Sequence, residues 1–287
     1  MESMIEAINK RVSVRSYTDE PIEQEKKQKI MDVLQSPNKG PFGHQVRFAL
    51  IDFSELDKNE ARSLGTYGFA SGAKSFIVSA IKDGLEGIPN GRAFVDLGHC
   101  FEKVILTATN LGLGTCWMGG TFKRTNFAKS INASDDEIVP AISPIGYARD
   151  RRTVRERAVR RFANSDHRKP WAELFFDGNV NNPLSKESVG GYAVPLESVR
   201  LGPSASNNQP WRIVYQKQQG AFNFYLKRTL GYNKFNGKID LQLIDMGIAM
   251  CHFELSARER GLAGKWEVAM PARELGDAEY IATWKAL

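Results

Sequence analysis

The feature that most constrains the fold of this chain is a segment that occurs twice. Residues 96–117 and 245–266 align without a gap at an offset of 149, with seven identical positions. These are Asp96/Asp245, Gly98/Gly247, Leu106/Leu255, Ala108/Ala257, Gly112/Gly261, Leu113/Leu262 and Trp117/Trp266. Each copy predicts a helix of about 16 residues that ends at a left-handed glycine, followed by a short strand to the tryptophan. Both helices are apolar around much of their circumference, which predicts a buried central pair.

The aspartates shared by the two copies stand where the two helices are expected to begin. Asp96 and Asp245 each precede the apolar run of their copy. A carboxylate at that position can cap the free backbone N–H groups and interact favourably with the helix dipole. We therefore interpret both residues as N-terminal caps.

A second pair of segments recurs in the same order before these helices. Residues 36–52 and 202–217 are turn-rich loops that run into β-branched and aromatic strands, and they align at Gln45/Gln209. From this glutamine to the aspartate the first copy has 51 residues and the second 36. The extra length includes the glycine-rich residues 67–76, a candidate lid or ligand edge in which Tyr67 and Phe69 border a pocket or pack in the core. We interpret the chain as one unit present twice, in lobes 1–170 and 171–287.

The charge of the chain is concentrated in one stretch. The net charge is +6, and residues 149–170 contain nine Lys or Arg against three Asp or Glu. This stretch is either a solvated surface or a site for a small anion such as a phosphate or a nucleotide. It lacks the interleaved aromatic residues of a nucleic-acid-binding module, so no nucleic-acid partner is expected.

Several other classes of protein are excluded by composition. No apolar run approaches the roughly 18 residues that cross a membrane, and residues 1–10 lack a signal sequence. The three cysteines are too scattered for a disulfide framework, which favours the reducing cytoplasm. The four histidines have no metal-ligand spacing, so no metal is expected. Cys116 is interpreted as a small buried apolar residue and not as a nucleophile.

The first copy opens with an Arg-x-Ser-x-Arg motif after a helix. If residues 11–15 are extended, Arg11, Ser13 and Arg15 point to one side while Val12 and Val14 point to the core. Two guanidinium groups and a hydroxyl that converge match the oxygens of a phosphate. Taken alone, such an arginine-rich turn is more typical of a surface.

Four motifs together resemble those of the FMN-dependent nitroreductase family. They are Arg-x-Ser-x-Arg at 11–15, Gly-Leu-Gly-Thr-Cys-Trp-x-Gly-Gly at 112–120, Arg-Lys-Pro at 168–170 and Pro-Ser-x-x-Asn-x-Gln-Pro-Trp at 203–211. The resemblance implies an α+β, nitroreductase-like fold in which two similar lobes form an internal pseudo-dimer. Each lobe is expected to have an antiparallel-dominated mixed sheet, and the repeated helices to meet at a pseudo-twofold axis. Family members are homodimers that hold FMN between subunits; a fused chain supplies both halves and is compatible with a monomer.

The resemblance also implies which residues bind the cofactor. Arg11, Ser13 and Arg15 match the phosphate-binding residues, and Arg168 matches a second cation on the phosphate side. Trp117, Gly119 and Gly120 match the turn at one edge of the flavin, where glycine lets a backbone N–H approach N5. Pro203, Ser204, Ala205 and Asn207 match the loop that the partner unit places against the ribityl chain and the ring. The family's chemistry requires no catalytic side chain.

The second copy departs from the family in a way that predicts the stoichiometry. Residues 177–200 contain no Arg-x-Ser-x-Arg motif. In the first copy's loop, Gly43, Val46 and Arg47 stand where the second copy has Asn207, Pro210 and Trp211. One complete site therefore pairs the cluster of the first copy with the loop of the second, and the reciprocal site lacks both halves. We expect one FMN per chain.

The activity implied by the resemblance is NAD(P)H-driven hydride transfer through flavin N5 to a small electron-poor acceptor such as a nitro compound or a quinone. Two alternatives stay open. One is a flavin-binding protein for storage or sensing that does not turn over. The other is an enzyme of the same fold with different flavin chemistry, such as flavin fragmentation or reductive dehalogenation.

Overall fold

The computed structural model describes residues 3–56, 63–82, 91–150, 157–158, 164, 167–232, 238–268 and 276–287. These residues form two five-stranded sheets that flank a pair of long helices. The α+β prediction with two similar lobes is confirmed. None of the described helices is both long and apolar enough to cross a membrane.

The first lobe is built on an antiparallel sheet. Its elements are α1 (Met4–Lys10), α2 (Gln24–Gln35), β1 (Arg47–Asp52), a 3-10 turn (Phe53–Glu55), β2 (Ser75–Lys82), α3 (Arg92–Asn110), β3 (Gly114–Thr115), α4 (Arg124–Ser130), β4 (Glu137–Ile138) and β5 (Ile142–Gly146). The strand order is β1-β2-β5-β3, with β4 beside β2, and these pairs all run antiparallel.

The second lobe repeats this plan and adds one strand. Its elements are α5 (Trp171–Leu174), β6 (Phe175–Asp177), a 3-10 segment (Glu187–Tyr192), α6 (Ala193–Leu201), a 3-10 turn (Ala205–Asn207), β7 (Trp211–Gln216), a 3-10 turn (Lys217–Gln219), β8 (Ala221–Leu226), α7 (Leu241–Glu259), β9 (Gly264–Glu267) and β10 (Glu279–Ala286). The order is β6-β7-β8-β10-β9; β6 runs parallel to β7 and the other pairs are antiparallel.

The two sheets share the same order and the same directions over four strands. β7-β8-β10-β9 corresponds to β1-β2-β5-β3, and each long helix stands between the second and third strand along the chain. The prediction of a mixed sheet is confirmed for the second lobe. In the first lobe the five described strands pair antiparallel, and a parallel contact with them is the isolated bridge from Ser13 to Thr115 of β3. The parallel strand β6 lies beside β7, whereas β1 has β2 as its paired neighbour among the described strands.

The two central helices are longer than the apolar pattern predicted. α3 and α7 each contain 19 residues and begin four residues before Asp96 and Asp245. They end as predicted, because Gly112 and Gly261 that follow them have left-handed φ values of +75° and +71°.

The early start of both helices makes the N-cap interpretation of the two aspartates wrong. The N-caps are Gly91 and Asp240, and Asp96 and Asp245 lie one turn inside. Both carboxylates are buried and accept hydrogen bonds from backbone N–H groups of a loop, as described below for the second lobe. A short apolar pattern does not reveal a first turn made of mixed residues, which is why the boundary was misplaced.

The cores of the two lobes interlock across the helix pair. Val95 of α3 lies in the core of the second lobe, among side chains of β7, β8 and β10. Ile244 and Ile248 of α7 lie in the core of the first lobe. Each lobe therefore completes its core with residues of the other, which is the packing expected of an internal pseudo-dimer.

Candidate functional site

The Arg-x-Ser-x-Arg segment runs alongside the strand that leads to the Trp-x-Gly-Gly turn. Ser13 forms a parallel bridge with Thr115, and the N–H of Val14 donates to the Thr115 carbonyl at 2.8 Å. Gly114 permits this approach, since an added Cβ there would lie 2.8 Å from the Val14 Cγ2. Two motifs of the first lobe are thus brought side by side.

The alternation predicted for residues 11–15 begins two residues late. Arg11 is only 8% exposed, Val14 is buried and Val12 is 47% exposed, so the expectation that Val12 faces the core is wrong. The backbone N–H of Arg11 still donates to the carbonyl of Ala7 at the end of α1. Because Arg11 belongs to the helix end, its side chain follows the helical direction inward, and strand alternation starts only at Ser13.

Arg15 offers a buried donor. Its Nε atom is buried and has no hydrogen-bond partner among the described residues, and the same holds for Nδ2 of Asn208 in the second lobe's loop. A buried N–H without an acceptor costs free energy, and a guanidinium group gains most from an anionic oxygen. The residues present therefore fit a phosphate-bearing cofactor such as FMN.

The loop of the second lobe has an unusual backbone. Ser206, Asn207 and Gln209 have φ values of +50°, +56° and +48°. Residues other than glycine avoid this left-handed region, and such strain is retained where the surrounding structure enforces it, frequently at ligand sites. Three such residues within four positions single out this loop.

Hydrogen bonds within the loop and to its surroundings hold it in shape. The N–H of Gln209 donates to the Ser204 hydroxyl at 2.9 Å, and the N–H of Ala205 donates to Asp245 Oδ1 of α7 at 2.9 Å. Gln209 is 1% exposed, and its Oε1 accepts from the N–H of Lys169 at 2.8 Å. The Ser206 hydroxyl lies 2.9 Å from the hydroxyl of Tyr232. The loop is thus fixed to α7 and to the last residues of the first lobe.

Arg168, near the end of the first lobe, reaches the same loop. Its Nε and Nη2 donate to the carbonyl of Leu201, the last residue of α6, at 3.3 and 3.2 Å. Its Nη1 donates to Asn207 Oδ1 at 3.3 Å. A cation is favourable at a helix C-terminus. The structure shows Arg168 as a clamp on the loop, and its match to a phosphate-side cation stays a prediction.

The Trp-x-Gly-Gly turn meets the loop at the start of α7. A Cβ added to Gly119 would overlap Cδ2 of Leu241, the first residue of that helix. Asp245, which holds Ala205, lies one helical turn further along. The Gly119 carbonyl accepts from Arg124 Nη2 at 2.7 Å, and Gly120 is exposed. Turns from both lobes therefore converge on one end of α7.

The side chains of Arg11 and Trp117 converge on a residue that sequence reasoning missed. Glu102 of α3 is fully buried; its Oε2 accepts from the Trp117 indole at 2.6 Å and its Oε1 lies 4.0 Å from Arg11 Nε. His252 of α7 contacts the same carboxylate at 2.9 Å. The available signal was a carboxylate inside an otherwise apolar stretch of the predicted buried helix.

The glycine-rich segment 67–76 lies against the Arg-x-Ser-x-Arg strand. The N–H of Ser71 donates to the carbonyl of Arg15, and the N–H of Tyr17 donates to the carbonyl of Ser71, both at 2.8 Å. Tyr67 is exposed and has a positive φ of 48°. This placement agrees with an edge of the site, and the proposed lid role stays a prediction.

The corresponding loop of the first lobe contacts the first turns of α3. The guanidinium of Arg92 stacks on the ring of Phe42 at 5.2 Å. Asp96 accepts from the N–H groups of Phe42 and His44, and its Oδ2 lies 2.6 Å from His44 Nδ1. Burial raises the pKa of Asp96, and the hydrogen bonds from Phe42 and His44 oppose that rise.

The three cysteines lie inside the fold. Cys100, Cys116 and Cys251 are buried, as predicted for Cys116. Burial raises the pKa of Cys100 to about 12 and that of Cys251 well above its usual range. No group of His, Cys, Asp and Glu within the described ranges could hold a metal ion. Most of the basic stretch, at 151–156, 159–163 and 165–166, lies outside the described residues, so its anion-binding interpretation stays a prediction.

The two paired lobes, with matching sheets around one helix pair, have the nitroreductase class of fold. The family model described as "Putative TM nitroreductase" matches residues 3–257, so the chain belongs to this nitroreductase family. A crystal structure described as a "putative nitroreductase" from Thermotoga maritima MSB8 has the same fold. It superposes with a TM-score of 0.60 and 22% identity, and the match covers 99% of this chain and 93% of that chain.

Two curated proteins are similar in sequence. An "FMN reductase [NAD(P)H]" of Bacillus subtilis (strain 168) is 28% identical over 138 residues, which cover 42% of this chain and 55% of the relative. A "Putative NADH dehydrogenase/NAD(P)H nitroreductase" of Archaeoglobus fulgidus is 23% identical over 175 residues, which cover 60% of this chain and 100% of the relative. The chain thus spans about half of the first relative and all of the second.

Proposed function

We propose that this nitroreductase-family oxidoreductase is FMN-dependent and driven by NAD(P)H. Bound FMN would accept a hydride from NAD(P)H and pass it to an electron-poor small molecule such as a nitro compound or a quinone. The names of the two curated relatives, an FMN reductase and an NAD(P)H nitroreductase, support this assignment.

The observation that carries the proposal is the convergence of three motifs from both lobes. Arg11 and Trp117 meet at Glu102, and Gly119 and Ala205 meet at the first turns of α7. These are the residues that the family resemblance assigns to the phosphate, to the flavin edge and to the ribityl chain. Their approach across the lobe boundary supports a flavin-binding site between the lobes.

Each group of residues has a separate task in this proposal. Arg11, Ser13 and Arg15 bind the phosphate, and Arg168 keeps the loop at residues 203–207 in place beside it. Within that loop, Pro203, Ser204, Ala205 and Asn207 line the ribityl chain and ring. Gly119 and Gly120 leave room for backbone N–H groups at the flavin edge, and Trp117 fixes the turn that carries them. No side chain is assigned to proton transfer.

We further propose one FMN per chain, with the lobes bounded at 1–170 and 171–287 as duplicated copies. The departures of the first-copy loop support a single site, since Gly43, Val46 and Arg47 stand where the second copy has Asn207, Pro210 and Trp211. A chain that contains both halves of the pseudo-dimer can act as a monomer, and its three buried thiols suit the reducing cytoplasm.

The test is a visible absorbance spectrum of the purified protein before and after NADH or NADPH is added without oxygen. The proposal expects a flavin spectrum that bleaches with a reduced nicotinamide and returns when a quinone or nitro compound is added. A protein without flavin after reconstitution with FMN contradicts the site. Bound flavin that does not bleach indicates storage or sensing, and fragmented flavin products indicate other flavin chemistry.

A further inference from the structure

Glu102 is a fully buried carboxylate that joins the two lobes. Its Oε2 accepts from the indole of Trp117, which begins the flavin-edge turn. Its Oε1 lies 2.9 Å from His252 Nε2 of the other central helix and 4.0 Å from Arg11 Nε. One carboxylate therefore contacts both first-lobe motifs of the proposed site and a residue of the second lobe.

The contacts of His252 connect Glu102 to the second lobe. Its Nδ1 lies 2.8 Å from the carbonyl oxygen of Ser198, which can only accept, so Nδ1 donates. Its Nε2 lies 2.9 Å from Glu102 Oε1. Contacts from both central helices therefore hold the carboxyl group in place.

A similar constellation lies on the opposite side of the helix pair. Glu254 accepts from the Trp266 indole at 2.8 Å and contacts His99 Nε2 of α3 at 3.0 Å. Here the arginine is Arg258, which is on the same helix and has a 63% exposed side chain, whereas Arg11 is buried and comes from the N-terminal motif. The two sides thus share Glu, His and Trp and differ in whether the arginine belongs to a phosphate-binding motif.

We propose that Glu102, kept in place by His252, is a positioning residue that orients Arg11 for the phosphate of FMN. The inference rests on the proposed function. Arg11 follows a helix end and is buried, so the direction of its guanidinium depends on the groups around it. Glu102, 4.0 Å from Nε, is one of these groups and sets the guanidinium orientation before a ligand binds.

The test compares Glu102→Gln with its matched control, Glu254→Gln. Glutamine keeps an oxygen for the tryptophan indole and an amide for the histidine, so it removes the carboxylate opposite Arg11 with little change in shape. Dissociation constants for FMN and for riboflavin, which lacks the phosphate, are measured by fluorescence titration of flavin-depleted protein. For Glu102→Gln we expect FMN affinity to fall about tenfold, as for loss of one charge-assisted contact, with riboflavin affinity unchanged. Glu254→Gln should leave both affinities within about twofold.

The outcomes separate this inference from the proposed function. The positioning role is overturned if Glu102→Gln binds FMN as tightly as the wild type or more tightly. It is also overturned if the variant loses affinity equally for FMN and riboflavin. In both cases, FMN binding by the wild type still supports the proposed site. Wild-type protein that binds neither flavin overturns both. If Glu102→Gln does not fold, His252→Gln must show the same FMN-selective loss. In an Arg11→Ala background, Glu102→Gln must have no further effect on the FMN-to-riboflavin ratio, because it acts through Arg11.

Discussion

Gly98 of α3 and Gly247 of α7 lie in contact where the two central helices cross, and neither position has room for a side chain. A Cβ added to Gly98 would lie 3.1 Å from the Gly247 Cα and would overlap the carbonyl of Ile244. One added to Gly247 would lie 2.9 Å from the Gly98 Cα and would overlap the carbonyl of Val95. Since Val95 and Ile244 are also 149 residues apart, the contact is the same in both directions, as a pseudo-twofold axis requires.

This contact predicts that Gly98→Ala destabilises the whole chain. The new methyl group would meet backbone atoms, which cannot rotate away, so the helices must separate. We expect the free energy of unfolding to fall by about 1–3 kcal/mol, as for overpacked cores. Urea denaturation measures this fall. Lys103→Ala, on the exposed face of the same helix, should change it by less than about 0.5 kcal/mol; an equal effect of both would contradict the crossing geometry.

The phosphate assignment predicts that Arg11→Ala with Arg15→Ala abolishes the yellow colour of the purified protein. Both side chains supply hydrogen-bond donors to the phosphate, and the loop of the second lobe cannot replace these donors. Flavin absorbance per chain is the measurement. The control replaces two exposed cations away from the site, Arg260→Ala with Lys265→Ala. Equal flavin loss from both pairs would show that the arginines act only through general charge.

The asymmetry of the two loops predicts one FMN per chain. The loop with Asn207 and the first lobe's turn both contact the first turns of α7 through Ala205 and Gly119. In the other loop, the ring of Phe42 is stacked against Arg92. Flavin released by heat or acid, divided by the protein concentration, should give a ratio near one after reconstitution with excess FMN. A ratio of two would mean that the second copy retains a working site.

The buried Asp245 predicts that Asp245→Asn, which replaces the carboxyl group by an uncharged amide, stabilises the fold more as the pH rises. Burial raises the pKa of its carboxyl group well above the usual range, although the Ala205 N–H opposes the rise. With a raised pKa, its favourable contribution is complete at low pH and is lost as pH rises through the folded-state pKa. Asp245→Asn keeps the acceptor for Ala205 and cannot ionise. The unfolding free energy of this variant minus that of the wild type should therefore increase from pH 4 to pH 9.

The exposed Asp136 supplies a control of opposite sign. Its pKa is lowered by hydrogen bonds from Ser134 and Lys82. Its stabilising contribution is therefore present at neutral pH and is lost on acidification. Asp136→Asn should be slightly less stable than the wild type at neutral pH. A difference for Asp245→Asn that stays constant over the pH range would contradict a buried ionisable group.

Glu254→Gln is expected to lower the free energy of unfolding at neutral pH, and this loss should disappear in acid. Burial acts to raise its pKa, but the hydrogen bonds from His99 and Trp266 and the charge of Arg258 prevail and lower it to about 2. A lowered pKa stabilises the fold above the usual value of 4.5 and this contribution is lost as pH falls toward 2. Glu254→Gln should cost on the order of 3 kcal/mol at pH 7. The difference from wild type should shrink between pH 5 and pH 3; thermal unfolding at a series of pH values measures it.

Much of the fold could be predicted because its signals are local. The helix ends at Gly112 and Gly261 follow from the need for a left-handed residue, and the loop-to-strand segments follow from turn residues and β-branched runs. The helix starts were misplaced because Gly91 before Arg92 has no capping side chain, and because Asp240, which caps the helix that begins at Leu241, lies outside the repeated segment. Without that boundary, the two aspartates were interpreted as caps.

The candidate site could be predicted in its members but not in their contacts. The motifs named Arg11, Trp117 and Ala205, and no sequence signal said that Glu102 would join the first two or that Asp245 would hold the third. The exposure of Val12 likewise depends on where α1 ends. These features depend on which residues meet after the lobes have packed.

The sequence by itself predicted that one unit is present twice, and it determined that Arg-x-Ser-x-Arg stands at residues 11–15 and the intact loop at residues 203–211. These are properties of residue order and short-range pattern. Only the tertiary structure decided that Glu102 pairs with His252 and that Gly98 faces Gly247. Both pairs are about 150 residues apart in the chain. Their contact results from closing a long loop around a shared core, a free-energy balance that no local stretch of sequence contains.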